Sequence, residues 1–236
     1  MLSTNKKTLI SGCGFSWSGQ ERITWVKILK LLSNSIVDVG GPAVSNQFII
    51  NNTVEELFKN NYEYVVVQLT SVGKLDVEIK TELQHSELVV KDSIRNFTYN
   101  NIWPSSMSAD HISKKLYYDW LYSPGLEINS LWKDLILLSN YCKIKNCKLI
   151  VFQGYKIKWT DYQIESLSSV MNTDRVLYDD YTGSEYYSYH DYTDKNTVPC
   201  KEYQVMLAEE IANLISIKEI SKINKIKSQI YGNLSK

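Results

Sequence analysis

The chain has 236 residues, of which 44% are hydrophobic, and this suits one large domain with a buried core. Its 26 lysines and arginines balance 26 aspartates and glutamates, so no overall charge favours nucleic acid or an anionic membrane as a partner. Residues 1–7 are polar, and the apolar run behind them is too short for a secretory leader or a membrane span. We therefore expect a soluble chain located in the cytoplasm or in a virus particle.

The four cysteines are too few and too scattered for a disulfide framework. Cys142 and Cys147 lack the Cys-x-x-Cys spacing of zinc sites. We expect all four to be thiols, buried in the core of a protein from a reducing compartment.

The first half of the chain alternates short apolar strands with amphipathic helices. Residues 8–11 predict a strand that leads into a glycine-containing turn. The helix behind it is predicted from an apolar stripe at helical spacing, formed by Trp25, Ile28, Leu29 and Leu32. Residues 35–39 predict a second strand, and Ser45 and Asn46 suit the cap of a second helix. Residues 65–67 are a continuous valine run, typical of a parallel strand covered on both faces.

The second half continues the pattern. A further helix is predicted from the buried stripe Leu131, Leu135, Leu138 and Cys142. Residues 149–152 and 175–178 predict a fourth and a fifth strand, and a long helix follows Pro199. Strands that alternate with helices indicate βαβ units. The predicted fold is a single α/β domain over residues 1–236, with three α/β/α layers around a doubly wound, parallel, five-stranded sheet of flavodoxin-like order 2-1-3-4-5.

Two segments depart from this repeat, residues 74–124 and the tyrosine-rich residues 178–203, and we expect both to be lid-like insertions over the sheet. Some helix is expected over residues 111–120. A C-terminal helical extension is predicted over residues 217–236 from an apolar stripe among lysines, namely Ile217, Ile220, Ile223, Ile226 and Ile230. This extension packs against its own domain or mediates a homo-oligomer or assembly contact.

Ligands of doubly wound sheets bind beyond the carboxyl ends of the strands, so the first three such loops are the informative ones. They are residues 11–19, 38–46 and 68–74, which read SGCGFSWSG, DVGGPAVSN and QLTSVGK. Their order and spacing, with Trp25 in the first helix, resemble the blocks of SGNH (GDSL-type) hydrolases, in particular a microbial or phage branch whose first block reads Gly-Cys-Ser-Phe-Thr.

The resemblance implies an esterase or acyltransferase that acts on acylated carbohydrate. It also implies a substrate-binding site made by all three blocks, at Gly14, Ala43, Asn46, Thr70 and Ser71. In that family a serine of the first block attacks an acyl carbonyl, and an aspartate and a histidine before the last helix supply the base and its orienter.

The residues of this catalytic triad are replaced here. The nucleophile position is Gly14, which has no side chain to attack with. When the proline before the last helix is aligned with that of the family, Val198 stands at the histidine and Asn196 at the aspartate. Two oxyanion-hole positions are also changed, to Ala43 and Thr70. A backbone N–H donates equally well from alanine, however, and a threonine hydroxyl can replace an amide donor.

A displaced triad is the alternative, in which Ser16 attacks and His190 with Asp191 supplies the base. The simpler interpretation makes Ser16 a helix cap and His190 a hydrogen-bonded loop residue. Cys13 could also attack as a thiolate, but the resembling sequences carry cysteine here beside an intact serine, which favours a packing role.

Metal and nucleotide chemistry are not expected. The three histidines lie far apart in sequence, and no two have the spacing of a helical metal site. The glycines of the first loop do not match Gly-x-Gly-x-x-Gly. No cofactor is predicted.

Three functions are therefore compatible with the sequence. The first is a non-catalytic module that binds a glycan or serves as a structural part of an assembly such as a virus particle. Seven of the 17 tyrosines lie in residues 178–203 beside several aspartates, a composition that suits sugar rings or a protein contact. The second is a diverged esterase or acyltransferase that uses Ser16. The third is a protein that binds a small molecule in the former acyl pocket, where Gly14 makes room.

Overall fold

The computed structural model of the protein describes residues 7–13, 16, 23–41, 44–72, 75–79, 89–92, 97–102, 122–154, 157–170 and 201–217. The strands are β1 (Thr8–Ser11), β2 (Ile36–Asp38), β3 (Tyr64–Leu69), β4 (Leu75–Ile79), β5 (Val89–Asp92), β6 (Phe97–Ile102) and β7 (Lys148–Gln153). The helices are α1 (Trp25–Leu32), α2 (Asn46–Lys59), α3 (Pro124–Ile144), α4 (Asp161–Val170) and α5 (Lys201–Leu214). No helix in this part of the chain is long and apolar enough to cross a membrane.

Four strands form a parallel sheet in the order β2-β1-β3-β7. Leu9 of β1 lies opposite Val37 on one side and Val65 on the other, and Val65 also pairs with Leu149. The central strand β3 is buried along its whole length, which is why its sequence is a largely apolar run. The α/β class and the parallel sheet are confirmed. The fifth strand, predicted over residues 175–178, lies outside the described residues, so the complete five-stranded order stays a prediction.

Side chains alternate between the two faces of the sheet, and helices cover both faces. On one face Ile10, Val66 and Phe152 belong to a core shared with α1 and α5. On the other face Leu9 and Val67 belong to a core shared with α2, α3 and α4. These are the three layers expected from the alternation of strands and helices.

The predicted helical stripes lie in the two cores. All four stripe residues of α1 are buried, and so are those of α3, Leu131, Leu135, Leu138 and Cys142. Helix α4 has no counterpart in the sequence prediction, because only Gln163 and Leu167 are buried among its ten residues. A helix with so few buried apolar residues has no hydrophobic periodicity to detect.

Residues 75–102 contain a second, antiparallel sheet in the order β4-β6-β5. This sheet falls at the start of the predicted insertion, where no strand was predicted. Val77 pairs with Asn100, and Val90 pairs with Tyr99. The helix expected over residues 111–120 lies outside the described residues, and the lid-like position of the insertion stays a prediction.

Helix α5 ends at a turn just before the predicted C-terminal extension. After Leu214 the chain turns at Ser216, whose φ of 58° is left-handed. The N–H of Ile217 donates to the carbonyl of Ala212 at 2.9 Å, the bond of a Schellman motif, which terminates a helix. The side chain of Ile217 then packs against the core beside α1 and α5. Residues 218–236 lie outside the described part of the chain, so the helical extension predicted over residues 217–236 stays a prediction.

Candidate functional site

The loops that follow β1, β2, β3 and β7 meet at the carboxyl edge of the main sheet, because parallel strands all end there. Backbone bonds tie the loops to one another. Gly41 N–H donates to the Gly12 carbonyl at 3.1 Å, and Gly154 N–H donates to the Leu69 carbonyl at 2.7 Å. The first bond places the first sequence block beside the second, and the second bond places the third block beside the end of β7.

Two glycines allow this close approach. A Cβ atom added to Gly12 would lie 2.2 Å from Ser16 Oγ and 3.0 Å from Gln68 Cβ. A Cβ atom added to Gly40 would lie 2.8 Å from the Gly12 carbonyl oxygen. Since no side chain fits at either position without displacement, both glycines are required by packing between the loops.

Ser16 is fully buried and forms a local turn. Its Oγ donates to the Cys13 carbonyl at 2.8 Å, and its backbone N–H donates to the same oxygen at 2.9 Å. The expected capping role is wrong for α1, because Thr24 precedes that helix and its Oγ1 accepts from Lys27 N–H at 3.3 Å. His190 and Asp191 lie outside the described residues, so the displaced triad stays a hypothesis.

Asn46 joins the second loop to the third. Its Oδ1 accepts from Thr70 N–H at 2.7 Å, and its Nδ2 donates to the Thr70 carbonyl at 3.0 Å. The capping role predicted for this segment is confirmed at Ser45, whose Oγ accepts from Phe48 N–H at 3.1 Å. The side-chain amide of Asn46 thus fixes the backbone at the end of β3, where Ser71 is half-buried.

Thr70 is the least satisfied residue of this edge. Its side chain is fully buried, and Oγ1 has no hydrogen-bond partner among the described residues. A buried hydroxyl without a partner costs about 1–3 kcal/mol, so native proteins rarely keep one without a reason. The resemblance to SGNH hydrolases implies an oxyanion-hole position for Thr70. A hydroxyl at this position can serve as a donor or an acceptor for a bound group.

Trp25 anchors α1 to the end of β3. The side chain is fully buried, and its Nε1 donates to Gln68 Oε1 at 3.3 Å. The backbone N–H of Trp25 donates to Gln204 Oε1 at 2.8 Å, and its ring meets that of Phe152 edge-on at 5.5 Å. The sequence predicted a role for Trp25 but not its hydrogen bonds to the two glutamines. The position of Gln68 inside the apolar run of β3 was the available signal, because a buried amide needs hydrogen-bond partners.

Several predicted site residues lie outside the described residues. They are Gly14, Ala43, His190, Asp191, Asn196 and Val198. The tyrosine-rich segment is likewise outside up to residue 200, whereas Tyr203 is buried in the core beside α1. Cys13, Cys142 and Cys147 are buried free thiols, as predicted. Among the described residues no three His, Cys, Asp or Glu side chains are grouped as a metal site would require.

The sequence matches no protein-family model and no curated protein. Among solved structures, the chain is similar to a catalytic mutant of an acetylxylan esterase from Geobacillus stearothermophilus, with 9% identity, coverage of 90% of this chain and 95% of that chain, and a TM-score of 0.49. It is also similar to the psychrotrophic esterase EstA from Pseudoalteromonas, with 10% identity, coverage of 89% and 97%, and a TM-score of 0.45. A GDSL-like lipase from Bacteroides thetaiotaomicron shows 11% identity, coverage of 90% and 88%, and a TM-score of 0.43. At such identities the likeness concerns the fold alone.

Proposed function

We propose that this chain is a non-hydrolytic protein on a hydrolase-like fold, which binds a neutral carbohydrate at the carboxyl edge of its parallel sheet. The main observation behind the proposal is that the Ser16 hydroxyl is buried and donates a hydrogen bond to the Cys13 carbonyl. The sequence supports the same conclusion, because the nucleophile position of the resembling family is Gly14 in this chain.

A serine nucleophile needs a base that takes its proton and an open path to the acyl carbon. The Ser16 hydroxyl instead donates a hydrogen bond to a backbone carbonyl, and its side chain has no exposed surface. Cys13, another nucleophilic side chain of this loop, is 2% exposed and belongs to the apolar core, and the buried Ser11 hydroxyl donates to the Ile49 carbonyl at 3.1 Å. The described part of the first loop therefore supports a binding role better than attack on an ester.

The ligand class follows from the charge of the three loops. Among the described residues of 11–16, 38–46 and 68–72, the one charged side chain is Asp38, whose Oδ1 accepts from Gly40 N–H at 2.9 Å. The one cation in the sequence of the three loops is Lys74, which lies outside the described residues, and the described loop residues offer no cation to neutralise a carboxylate or a phosphate. They offer hydroxyl and amide groups, which suit a ligand rich in hydroxyl groups, and Thr70 Oγ1 is the group that we expect to bond it.

An exposed aromatic pair supports sugar as the ligand class. Tyr162, near the start of α4, is 68% exposed, and its ring centroid lies 5.7 Å from that of Trp132. Trp132 is held in place because its Nε1 donates to Ser166 Oγ at 2.6 Å. Helix α4 follows the carboxyl end of β7, and aromatic faces of this kind pack well against the C–H faces of sugar rings.

Ester hydrolysis tests the non-hydrolytic half of the proposal. With nitrophenyl acetate and nitrophenyl butyrate we expect the purified chain to give the rate of the buffer blank. The Ser16→Ala and His190→Ala variants should give the same rate. Turnover that is present in the parent chain and lost in Ser16→Ala would establish the displaced triad and overturn the proposal.

Calorimetry with neutral hexasaccharides of glucose, xylose and N-acetylglucosamine tests the binding half. Thr70→Val should weaken binding by about 1–3 kcal/mol, because it removes a hydrogen-bonding hydroxyl, without lowering the stability of the free protein. Thr53→Val is the matched control, since the Thr53 hydroxyl is equally buried but bonds to the Ile49 carbonyl at 2.7 Å within α2. If no sugar binds and the protein self-associates in sedimentation, the assembly function replaces this one.

A further inference from the structure

A pair of cysteines meets at the amino edge of the sheet, where α3 ends and β7 begins. Asn146 is left-handed with φ of 54°, and Cys147 N–H donates to the Cys142 carbonyl at 2.9 Å. This is a second Schellman motif, the turn that also ends α5. The same carbonyl accepts from Cys147 Sγ at 3.4 Å. The motif thus brings two thiols together that are five residues apart.

The distance between these cysteines suits a disulfide bond. Standard bond lengths across the 2.9 Å hydrogen bond limit the separation of the two Cα atoms to about 7 Å, and disulfides form at Cα separations of about 4.4–6.8 Å. Both residues are free thiols, at 1% exposure for Cys142 and 8% for Cys147. The turn already holds the two residues side by side.

The two thiols differ in acidity in the way that such chemistry requires. The neighbouring Cys142 thiol lowers the pKa of Cys147, and the charge of Lys145 acts in the same direction. The neighbouring Cys147 side chain, together with burial, raises the pKa of Cys142. Cys147 is therefore the better thiolate, and Cys142 is the protonated partner.

We propose that Cys142 and Cys147 form an oxidisable dithiol, which a hydroperoxide converts into an intramolecular disulfide. The Cys147 thiolate attacks the peroxide, the O–O bond breaks, and the leaving oxygen takes a proton, which yields a sulfenic acid at Cys147. The Cys142 sulfur then attacks this sulfur, the S–O bond breaks, and water leaves with the thiol proton. With hydrogen peroxide the sum is two thiols and one peroxide converted to one disulfide and two waters.

Access to the pair comes from the exposed turn that covers it. Ile144 is 80% exposed, and Lys143 and Asn146 are also exposed, so little packing resists a local opening at the end of α3. A hydroperoxide is small enough to enter through such an opening. Formation of the bond then fixes the turn that joins α3 to β7.

Tryptic mapping of the full-length protein tests this proposal, because Lys143 and Lys145 place cleavage sites between the two cysteines. After treatment with hydrogen peroxide and alkylation of the remaining thiols, we expect a disulfide-linked pair of peptides, residues 134–143 with residues 146–148. Dithiothreitol should release the pair. Retention of alkylated Cys142 and Cys147, at peroxide doses that oxidise exposed methionines, would overturn the proposal.

Variants assign the two roles. Cys142→Ser should accumulate a sulfenic acid at Cys147 that dimedone traps, because the second thiol is missing. Cys147→Ser should abolish the linked peptides and the trapped acid alike. Cys13→Ser is the control, since Cys13 is also buried and belongs to the carboxyl edge, and it should leave the linked pair unchanged. Linkage of Cys142 or Cys147 to Cys13 or Cys200 instead would contradict the assigned pair.

Discussion

The two edges of the parallel sheet are held together in different ways. At the amino edge neighbouring segments bond directly through their backbones, with Glu63 N–H donating to Lys7 O at 2.9 Å and Lys148 N–H donating to Glu63 O at 2.8 Å. The carboxyl edge has such backbone bonds too, but there a side-chain amide, that of Asn46, also bonds to the backbone of Thr70. The carboxyl edge also keeps a buried hydroxyl without a partner among the described residues. Buried polar groups without a hydrogen-bond partner are expected where a fold binds a ligand.

Lysine side chains complete the amino edge. Lys7 Nζ lies 4.8 Å from the ring centroid of Tyr62, and Lys148 Nζ lies 5.6 Å from that of Tyr64. The Tyr62 hydroxyl in turn donates to Glu56 Oε1. The carboxyl edge therefore differs from the amino edge in that its loops depend on a few buried polar side chains in addition to backbone bonds. Four predictions can break or sharpen this contrast.

The largest effect is expected for Asn46→Ala. It leaves the buried N–H and carbonyl of Thr70 without partners, so the free energy of unfolding should fall by about 3 kcal/mol in urea titrations. Asn60→Ala is the control near the amino edge, because Asn60 donates from an exposed position to Glu56 at 2.7 Å and should matter by no more than about 0.5 kcal/mol. Equal losses for the two variants would remove the contrast between the edges.

The next effect is expected for Gly12→Ala. The new methyl group would overlap Ser16 Oγ, so the unfolding free energy should fall by about 2 kcal/mol. Ser16→Ala in the same chain should recover part of that loss, and the coupling measured in the double-mutant cycle reports the contact. Gly125→Ala has open space around it and should be neutral or slightly stabilising. A double variant as unstable as the sum of the single variants would refute the contact.

A smaller effect is expected for Tyr62→Phe at the amino edge. Burial, and then the hydrogen bond to Glu56, raise the pKa of Tyr62 above its usual range. A raised pKa means that this stabilisation is complete below about pH 10 and is lost as the pH rises towards the folded-state pKa. Tyr62→Phe should lose about 1 kcal/mol at neutral pH and show a shallower alkaline decline in thermal melts.

Tyr162→Phe provides the comparison for this pH series, since it removes the same hydroxyl from a side chain that is 68% exposed. It should follow the parent protein at every pH. An alkaline decline that is identical in the parent and in Tyr62→Phe would show that Tyr62 does not contribute to the pH dependence.

The smallest effect is expected for Ser216→Gly, at the turn that ends α5. Ser216 has a left-handed φ of 58°, which is unfavourable for a residue with a Cβ, so glycine should stabilise the fold by about 0.5 kcal/mol. Asn146→Gly, at the matching turn of α3, should gain less because asparagine tolerates this conformation. Thermal melts of both variants measure the difference, and a loss of stability in Ser216→Gly would contradict the assigned turn.

Much of the fold follows from local sequence patterns. Residues 8–11 form the predicted first strand, Ser45 caps the predicted second helix, and the valine run 65–67 lies in the buried centre of the sheet. Each of these features depends on residues within a few positions of one another. Strand and helix patterns repeat every two or about four residues, and a capping hydroxyl lies three residues from the N–H that it accepts from. The missed helix α4 shows the limit of such patterns, because it lacks an apolar stripe.

By itself, the sequence determined the layer architecture, the three loops of the candidate site and the glycine at position 14, which the resemblance to SGNH hydrolases aligns with their nucleophile. Only the tertiary structure decided that the Ser16 hydroxyl bonds to Cys13, that Thr70 Oγ1 is buried without a described partner, and that Trp25 is held by Gln204 across 179 positions of sequence. The physical reason is the distance along the chain over which each effect acts. Periodicity and capping act within one or two turns of chain, whereas a buried polar group is satisfied by whichever residue the packed fold brings to it.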